Sequence, residues 1–413
     1  MNALRADACV VGGGPAGAAT AWALARNGLD TVVLDRAVFP RPKPCAEYLS
    51  PQAARLLDEM GVLDRLERSG AATLAGMRVV APDGTAFEGR FAGSHGYRAF
   101  RERGLAVRRE RLDALLLDAA RNAGARVIEG AAVRDLTRDA TGRVVGVAAD
   151  DVTVAAEHVV GADGLRSVVA RRAGLARRSR WPERYAFVTH LANVDALGDV
   201  GEMLVFADGY CGLAHVGDGV ANVAVVVPAA EARQAAGDAA AFVDRWIERH
   251  GTVATRFRHA RRVSEVQVTG PFASHARRAW TTGATLVGDA ADFFDPFTGE
   301  GIYAALRGGE LLAPYVVTAI AARRGGDVRR ERDALEAYER CRRHEFGGKW
   351  RLERLVGLAV SNPALMSFAA RRFRARRDLA DLLVGVTGDF IPAPRVLNLG
   401  YALQFLGTAP EAA

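Results

Sequence analysis

Three glycines in residues 7–35, "DACVVGGGPAGAATAWALARNGLDTVVLD", have the spacing G-x-G-x-x-G: Gly12, Gly14 and Gly17. Gly12 suits a tight turn. Gly14 has no Cβ to block a pyrophosphate, and Gly17 lets a helix pack closely on a strand. A helix opening at Pro15 and Ala16 would aim unpaired N–H groups and its positive dipole end at phosphate oxygens. Asp35, followed by Arg36, closes the next apolar run, where a carboxylate would hold ribose hydroxyls. The chemistry these residues suit is dinucleotide binding. A second acid, Asp289, ends "ATLVGD", and Pro296, Gly299, Gly301 and Ile302 follow in "DPFTGEGI". An acid just past a strand accepts hydrogen bonds from a sugar-alcohol chain, and a helix N-terminus faces an electron-rich ring. That pair suits the ribityl chain and ring of a flavin.

Between these motifs lies "PRPKPCAEYLSP", residues 40–51. So stiff a stretch is either a connector or a wall held against something. Pro51 is expected at the first position of a helix capped by Ser50. Cys45 is read two ways, as a contact to the ring or its substrate, or as a small buried filler.

The elements that must position these residues follow from pattern. Residues 8–11 and 31–34 read as buried parallel strands around a helix over 15–27. The strand "AEHVV" leads into "GADGLRSVVARR", which contains Asp163. Residues 77–91 read as a hairpin through "PDGT". "YAFVTHLANV", "EMLVFA" with "GYCGLAHV", and "VANVAVVV" read as a mainly antiparallel sheet, with a helix over 229–250. His190 and His215 lie in these strands, and lone strand histidines are commonly core or rim residues. From residue 328 the chain reads as helical and basic. "RRFRARRDLADLL" alternates arginine with apolar residues, which fits a solvated face over a buried stripe, a membrane surface or a carrier protein.

Composition narrows the classes. Half of the 413 residues are hydrophobic and 25% are charged, so a large globular core is expected, in two or three domains. The net charge of +7 rests almost wholly on arginine, with lysine only at 43 and 349. No zinc spacing or aromatic-interleaved basic run accompanies it, so nucleic acid is not an expected partner. The four cysteines, Cys9, Cys45, Cys211 and Cys341, are scattered, which predicts no disulfide framework and a reducing cytoplasm. No apolar run is long enough to span a membrane. No paired histidine spacing predicts a metal, and no G-x-S-x-G elbow is present.

The three motifs, in this order, resemble the flavoprotein superfamily of p-hydroxybenzoate hydroxylase, which includes aromatic-ring monooxygenases, flavin halogenases and geranylgeranyl reductases. "KPC" with "LSP", and "DPFTGEGI", most resemble the geranylgeranyl-reductase branch and its natural-product relatives. The resemblance covers roughly residues 5–340 and implies noncovalent FAD. By motif it places Gly12, Gly14, Pro15, Ala16, Gly17, Asp35, Arg36, Cys45, Val133, Asp163, Asp289, Pro296, Gly299, Gly301 and Ile302 against that cofactor. Arg109 joins them through "VRRERLD", with Arg108 as its rival. Cys45 and His215 are the catalytic candidates.

The implied fold is α/β. It has a discontinuous Rossmann-like FAD-binding domain (1–73, 100–180, 274–340), a mainly antiparallel β-sheet substrate domain (74–99, 181–273) and a C-terminal helical region (341–413). No second G-x-G-x-x-G follows a strand. NAD(P)H would therefore dock transiently, or a partner reductase would supply electrons. The halogenase signature G-W-x-W-x-I-P is absent, as is the reductase family's P-x-x-Y-x-W-x-F-P. The expected reaction is therefore hydroxylation of a hydrophobic aromatic or polyketide-type substrate, free or carrier-bound. Its rivals are reduction of a lipid or polyene double bond and a non-redox cyclisation with FAD as scaffold.

Overall fold

The computed structural model describes residues 2–407, except 94, 179–182 and 273. A parallel sheet runs Ala284–Leu286, Val152–Gly161, Asn2–Val11, Thr31–Leu34 and Arg126–Ile128 in spatial order. The first strand is longer than its apolar run predicts. Its outer half pairs residue by residue with the strand Val152–Gly161, from Asn2↔Val152 onward, and is only partly buried. Hydrogen bonding extends it where hydrophobicity gives no signal. The hairpin Val133–Arg138 and Val144–Ala149 adds to the same sheet in antiparallel sense. Helices Pro15–Arg26 and Gly301–Arg324 pack together on one face.

The second sheet runs Arg261–Arg262, Arg184–Ala192, Val220–Pro228, Gly209–His215, Gly201–Phe206, Gly76–Val80 and Ala86–Arg90. All its pairs are antiparallel except Gly201–Phe206 with Gly76–Val80. Both faces are covered, which is why "VANVAVVV" reads as an unbroken apolar run rather than an alternating one. Phe242 and Trp246, of helix Ala239–Arg249, pack with Phe187, Cys211 and Val225 on one face. Met366, Phe373 and Ala380, of the C-terminal helices, pack with Phe87, Val188 and Val205 on the other.

Three helix expectations are corrected. The span 229–250 breaks at Ala236, whose φ is +42°, and Asp238 caps a fresh helix at Ala239. "RRFRARRDLADLL" is two helices, Pro363–Ala375 and Arg377–Thr387, meeting at Arg376. The helix after Pro51 begins at Ala53, with Gln52 at its cap. Ser50 Oγ still accepts from Ala53 N at 3.2 Å, the i→i+3 bond of a capping serine, two residues before that cap. The helix Val328–Val360 is continuous across residue 340. The boundaries at 180/181 and 273/274 fall at residues outside the described set.

Candidate functional site: a dinucleotide cradle and the segment that walls it

The glycine loop lies between the strand Asn2–Val11 and the helix Pro15–Arg26. Gly12 has φ +103°, and a Cβ there would sit 2.5 Å from the Ala162 carbonyl oxygen. A Cβ on Gly17 would sit 1.7 Å from the Gly12 oxygen. Gly14 differs: its imagined Cβ meets only the Arg41 guanidinium, at 3.6 Å. Gly12 and Gly17 therefore serve the fold, while Gly14 leaves backbone open to a ligand. Gly301, at the start of the helix Gly301–Arg324, is likewise open, with nothing within 4 Å of such a Cβ. Asp35 braces the loop, its Oδ2 accepting from Gly13 N at 2.7 Å and its Oδ1 from Ala37 N at 2.8 Å. Arg36 is exposed.

Positive charge gathers beside this loop. Arg109, at the head of the helix Arg109–Asn122, makes a bidentate pair with buried Asp113, both bonds 2.8 Å. Its rival Arg108 instead pairs with Glu110 at 2.9 Å. Arg41 stands 3.3 Å from Asp113, yet its buried Nη1 makes no hydrogen bond among the described residues. Burial, and then the charge of Arg109, push the Lys43 ammonium below its ordinary range; Arg41 and Arg36 add to this and Asp289 opposes it. Burial raises the Asp289 carboxyl, and Lys43 and Arg109 oppose that shift. A crowd of cations with one unmet guanidinium nitrogen, beside an open helix N-terminus, fits a pyrophosphate. Asp289, near Lys43 and Arg109, fits the ribityl hydroxyls. The residues present therefore suit FAD.

Cys45 sits in the same neighbourhood, and it is not packed among aliphatic side chains alone. Its Sγ accepts from Glu47 N at 3.3 Å, and its carbonyl accepts from Asn222 Nδ2 at 2.8 Å. Burial raises the thiol pKa, and the charge of Arg109 opposes the rise. The centre of this cluster is Glu47, a residue the sequence did not single out. It is 2% exposed and holds φ at +60°, the left-handed region a glutamate seldom adopts. Its Oε1 accepts from Arg109 N at 2.8 Å. Its Oε2 pairs with His190 Nε2 at 2.7 Å and accepts from Asn222 Nδ2 at 3.1 Å. His190 Nδ1 lies 2.9 Å from Ser264 Oγ, and Ser264 lines a groove of about 860 Å³ with Arg261, Arg262 and Asp238. His190, set aside as a rim residue, is thus tied into the cluster. His215 pairs only through its backbone with Ala221, so the structure gives it no partner in this cluster among the described residues.

The loop through Pro296 and Gly299 is fixed by Asp295. Its carboxylate accepts from Tyr210 Oη at 2.8 Å, pairs with Arg184 at 2.6 Å, and caps the turn Pro296–Thr298. Gly299 follows with φ +75°, and a Cβ there would sit 2.7 Å from the Tyr48 ring. Ile302 is buried in the core behind it. The Tyr48 hydroxyl is buried without a hydrogen-bond partner among the described residues. Burial, and then Glu300, hold its pKa well above the ordinary phenol value. Tyr48 belongs to an apolar cluster with Leu74, Phe91, Ala106 and Ala214. Two expected contacts have local roles instead. Asp163 spends its carboxylate on Ser167 Oγ at 2.6 Å and Val168 N at 2.6 Å, capping a short helix, while its backbone abuts Gly12. Val133 opens a strand paired with Ala149.

The cradle and the fold together define a flavin-dependent oxidoreductase. A family model of the FAD binding domain matches residues 5–347, and the chain belongs to that family. It falls in the geranylgeranyl-reductase-like branch. It is 33% identical over 325 residues to digeranylgeranylglycerophospholipid reductase 2 of Methanopyrus kandleri, covering 76% of this chain and 77% of that protein. It is 32% identical over 409 residues to menaquinone reductase of Mycolicibacterium smegmatis, covering 94% of this chain and 92% of that one. Among solved structures, the myxobacterial chondrochloren halogenase superposes with a TM-score of 0.75 at 25% identity, covering 84% of this chain and 82% of that one.

Proposed function

We propose that the protein uses FAD to reduce a carbon–carbon double bond in a hydrophobic prenyl-type or polyene substrate. The observation that carries this reading is the 32% identity to a menaquinone reductase along nearly the full length of both chains. The geranylgeranyl groups in the name of the archaeal relative offer double bonds as their reducible function. The site agrees with it: the cluster around Tyr48 is apolar, as a hydrocarbon chain requires.

Reduction of a double bond adds one hydride and one proton. FAD, when bound, would supply the hydride, with NAD(P)H or a partner reductase as the source of its electrons. The proton needs a donor in an otherwise apolar cluster. Tyr48 Oη, buried, without a hydrogen-bond partner among the described residues and kept protonated by its raised pKa, would be that donor. Arg41, Lys43 and Arg109 would hold the FAD pyrophosphate, and Asp289 would hydrogen-bond its ribityl chain. Glu47 fixes the stretch that carries both Cys45 and Tyr48.

The test is anaerobic. Reduced enzyme is mixed with menaquinone or a geranylgeranyl lipid, and flavin reoxidation is followed with product mass. A product gaining two hydrogens without oxygen supports the reading, and Tyr48→Phe should slow that step while leaving flavin reduction by NAD(P)H intact. A product that gains one oxygen, and forms only in air, would establish hydroxylation instead. Turnover with flavin oxidised throughout would establish the scaffold role.

A further inference from the structure

Eight of the large apolar side chains left exposed among the described residues fall in three C-terminal helices, seven of them from residue 355 onward. Leu399, Leu403 and Leu406 are 73%, 60% and 64% exposed on the helix Leu399–Leu406. Their i, i+4, i+7 spacing puts them on one face. The opposite face is apolar too, and it is anchored. Tyr401 Oη donates to the Leu379 carbonyl at 3.1 Å, and the Phe405 ring lies 5.0 Å from that of Phe373. A helix apolar all round is ordinarily buried on every side. This one, apolar but for Gln404, is covered among the described residues on its inner side alone. Beside it, Phe368 shares the edge of the patch, its ring 6.0 Å from Phe405. Leu365, on the same helix as Phe368, and Leu355 and Leu358, in the last turns of Val328–Val360, add exposed apolar surface.

The charge of this region names the occupant. Residues 341–413 hold eleven of the 55 basic residues but only six of the 48 acidic ones, which is five of the seven net positive charges. Arg351, Arg354, Arg371 and Arg374 are exposed on helices that carry these leucines, and Arg377 on the helix Arg377–Thr387 that follows. A second copy meeting this face would oppose arginine to arginine. An anionic bilayer accepts both features, with leucines entering the acyl boundary and arginines at the phosphates.

We propose that the face formed by Leu399, Leu403 and Leu406, with Leu355, Leu358 and Leu365 and the neighbouring arginines, docks the protein on an anionic membrane surface. The proposal stands on the surface and is independent of the reaction, although helices Pro363–Ala375 and Arg377–Thr387 also back the substrate sheet at strand Ala86–Arg90. Docking there would bring a lipid substrate to the sheet that walls the site.

The test is sedimentation of holoprotein with vesicles of phosphatidylcholine alone or mixed with phosphatidylglycerol. Binding should rise about tenfold or more with the anionic lipid and fall as salt is raised. The triple variant Leu399→Glu, Leu403→Glu, Leu406→Glu should lose about tenfold or more of that binding while keeping its flavin and thermal midpoint. In Leu403→Trp, tryptophan emission should shift to the blue when anionic vesicles are added. Absence of binding to anionic vesicles, equal binding by the triple variant, or a dimer that the triple variant dissolves would each overturn the proposal. Activity on detergent-dispersed substrate would survive such a failure, which separates this proposal from the reductase reading.

Discussion

Replacing Glu47 by alanine and, separately, by glycine probes the brace behind Cys45 in a way that ordinary packing would not mimic. Both changes strand the three donors that its carboxylate now receives: Arg109 N, His190 Nε2 and Asn222 Nδ2. His190 escapes most of the penalty, because its ring can donate from Nδ1 to Ser264 Oγ and leave Nε2 as an acceptor. Two donors remain unmet, at roughly 1–3 kcal/mol each. Water entering the vacated space satisfies part of that need, so about 2–4 kcal/mol is expected for either variant. The backbone then separates the two. At φ +60° alanine carries a left-handed cost of roughly 1–2 kcal/mol that glycine escapes. Glycine gives back about 0.5–1 kcal/mol through its freer unfolded chain. Glu47→Gly should therefore unfold about 0.5–1 kcal/mol harder than Glu47→Ala, the reverse of the usual order. Urea titration of the apoprotein, followed by tryptophan fluorescence, measures both. An alanine variant as stable as the glycine variant would refute the left-handed assignment. Losses below about 1 kcal/mol in both would show that the carboxylate does not hold the segment.

Gly14→Val should leave the apoprotein's thermal midpoint nearly unchanged yet abolish FAD binding, whereas Gly17→Ala should destabilise the apoprotein itself, because its methyl meets the Gly12 oxygen; calorimetry with FAD titration separates the two, and full flavin occupancy in Gly14→Val would contradict the open-backbone reading. Asp289→Ala should weaken FAD by roughly 1–3 kcal/mol, the loss of a buried hydrogen-bonding partner, and an unchanged dissociation constant would exclude the ribityl contact. His158, buried in the central sheet against Thr285 Oγ1 at 3.1 Å, has its pKa pushed by burial from an ordinary 6.5 down to about 3. The unfolded chain takes up that proton first, so the stabilisation is full above pH 6.5 and is lost as pH falls toward about 3. At roughly 1.4 kcal/mol per pH unit, about 2–3 kcal/mol should disappear by about pH 4.5, and His158→Asn should flatten that part of the profile in urea titrations; an unaltered slope would assign it to other groups.

The dinucleotide loop was legible because its glycines act through the backbone, where absence of a side chain is itself the signal. Even there, only structure separates Gly14, which faces open space, from Gly12 and Gly17, which face the fold. The hairpin through "PDGT" was legible for a similar reason, as Ala81 N bonds to the Thr85 carbonyl across a local turn. The helix break at Arg376 was not, since no glycine or proline marks it. Asp163 looked like a ligand because an acid after a strand is a familiar cofactor contact, but the same position also caps a helix, and local N–H groups take the carboxylate first.

Glu47 left no mark in the sequence for two physical reasons. Its partners Arg109, His190 and Asn222 lie 62, 143 and 175 positions away, so no local spacing announces them. Its left-handed backbone is a place where glycine would be expected, and a glutamate there looks like an ordinary polar residue. A non-glycine residue is held in that conformation only when its surroundings over-determine it, and such positions concentrate at functional sites. Here the surroundings come from both halves of the molecule. The backbone of Arg109 belongs to the helix beside the FAD cradle, while His190 and Asn222 belong to the second sheet. One carboxylate thus ties both to "PRPKPCAEYLSP", and the Asn222 bond to the Cys45 carbonyl adds a second tie. A flexible connector would need neither. The proline stretch is therefore no free connector: it is stiff by composition at one end and fastened by Glu47 at the other, with Cys45 and Tyr48 held on either side of the fastening.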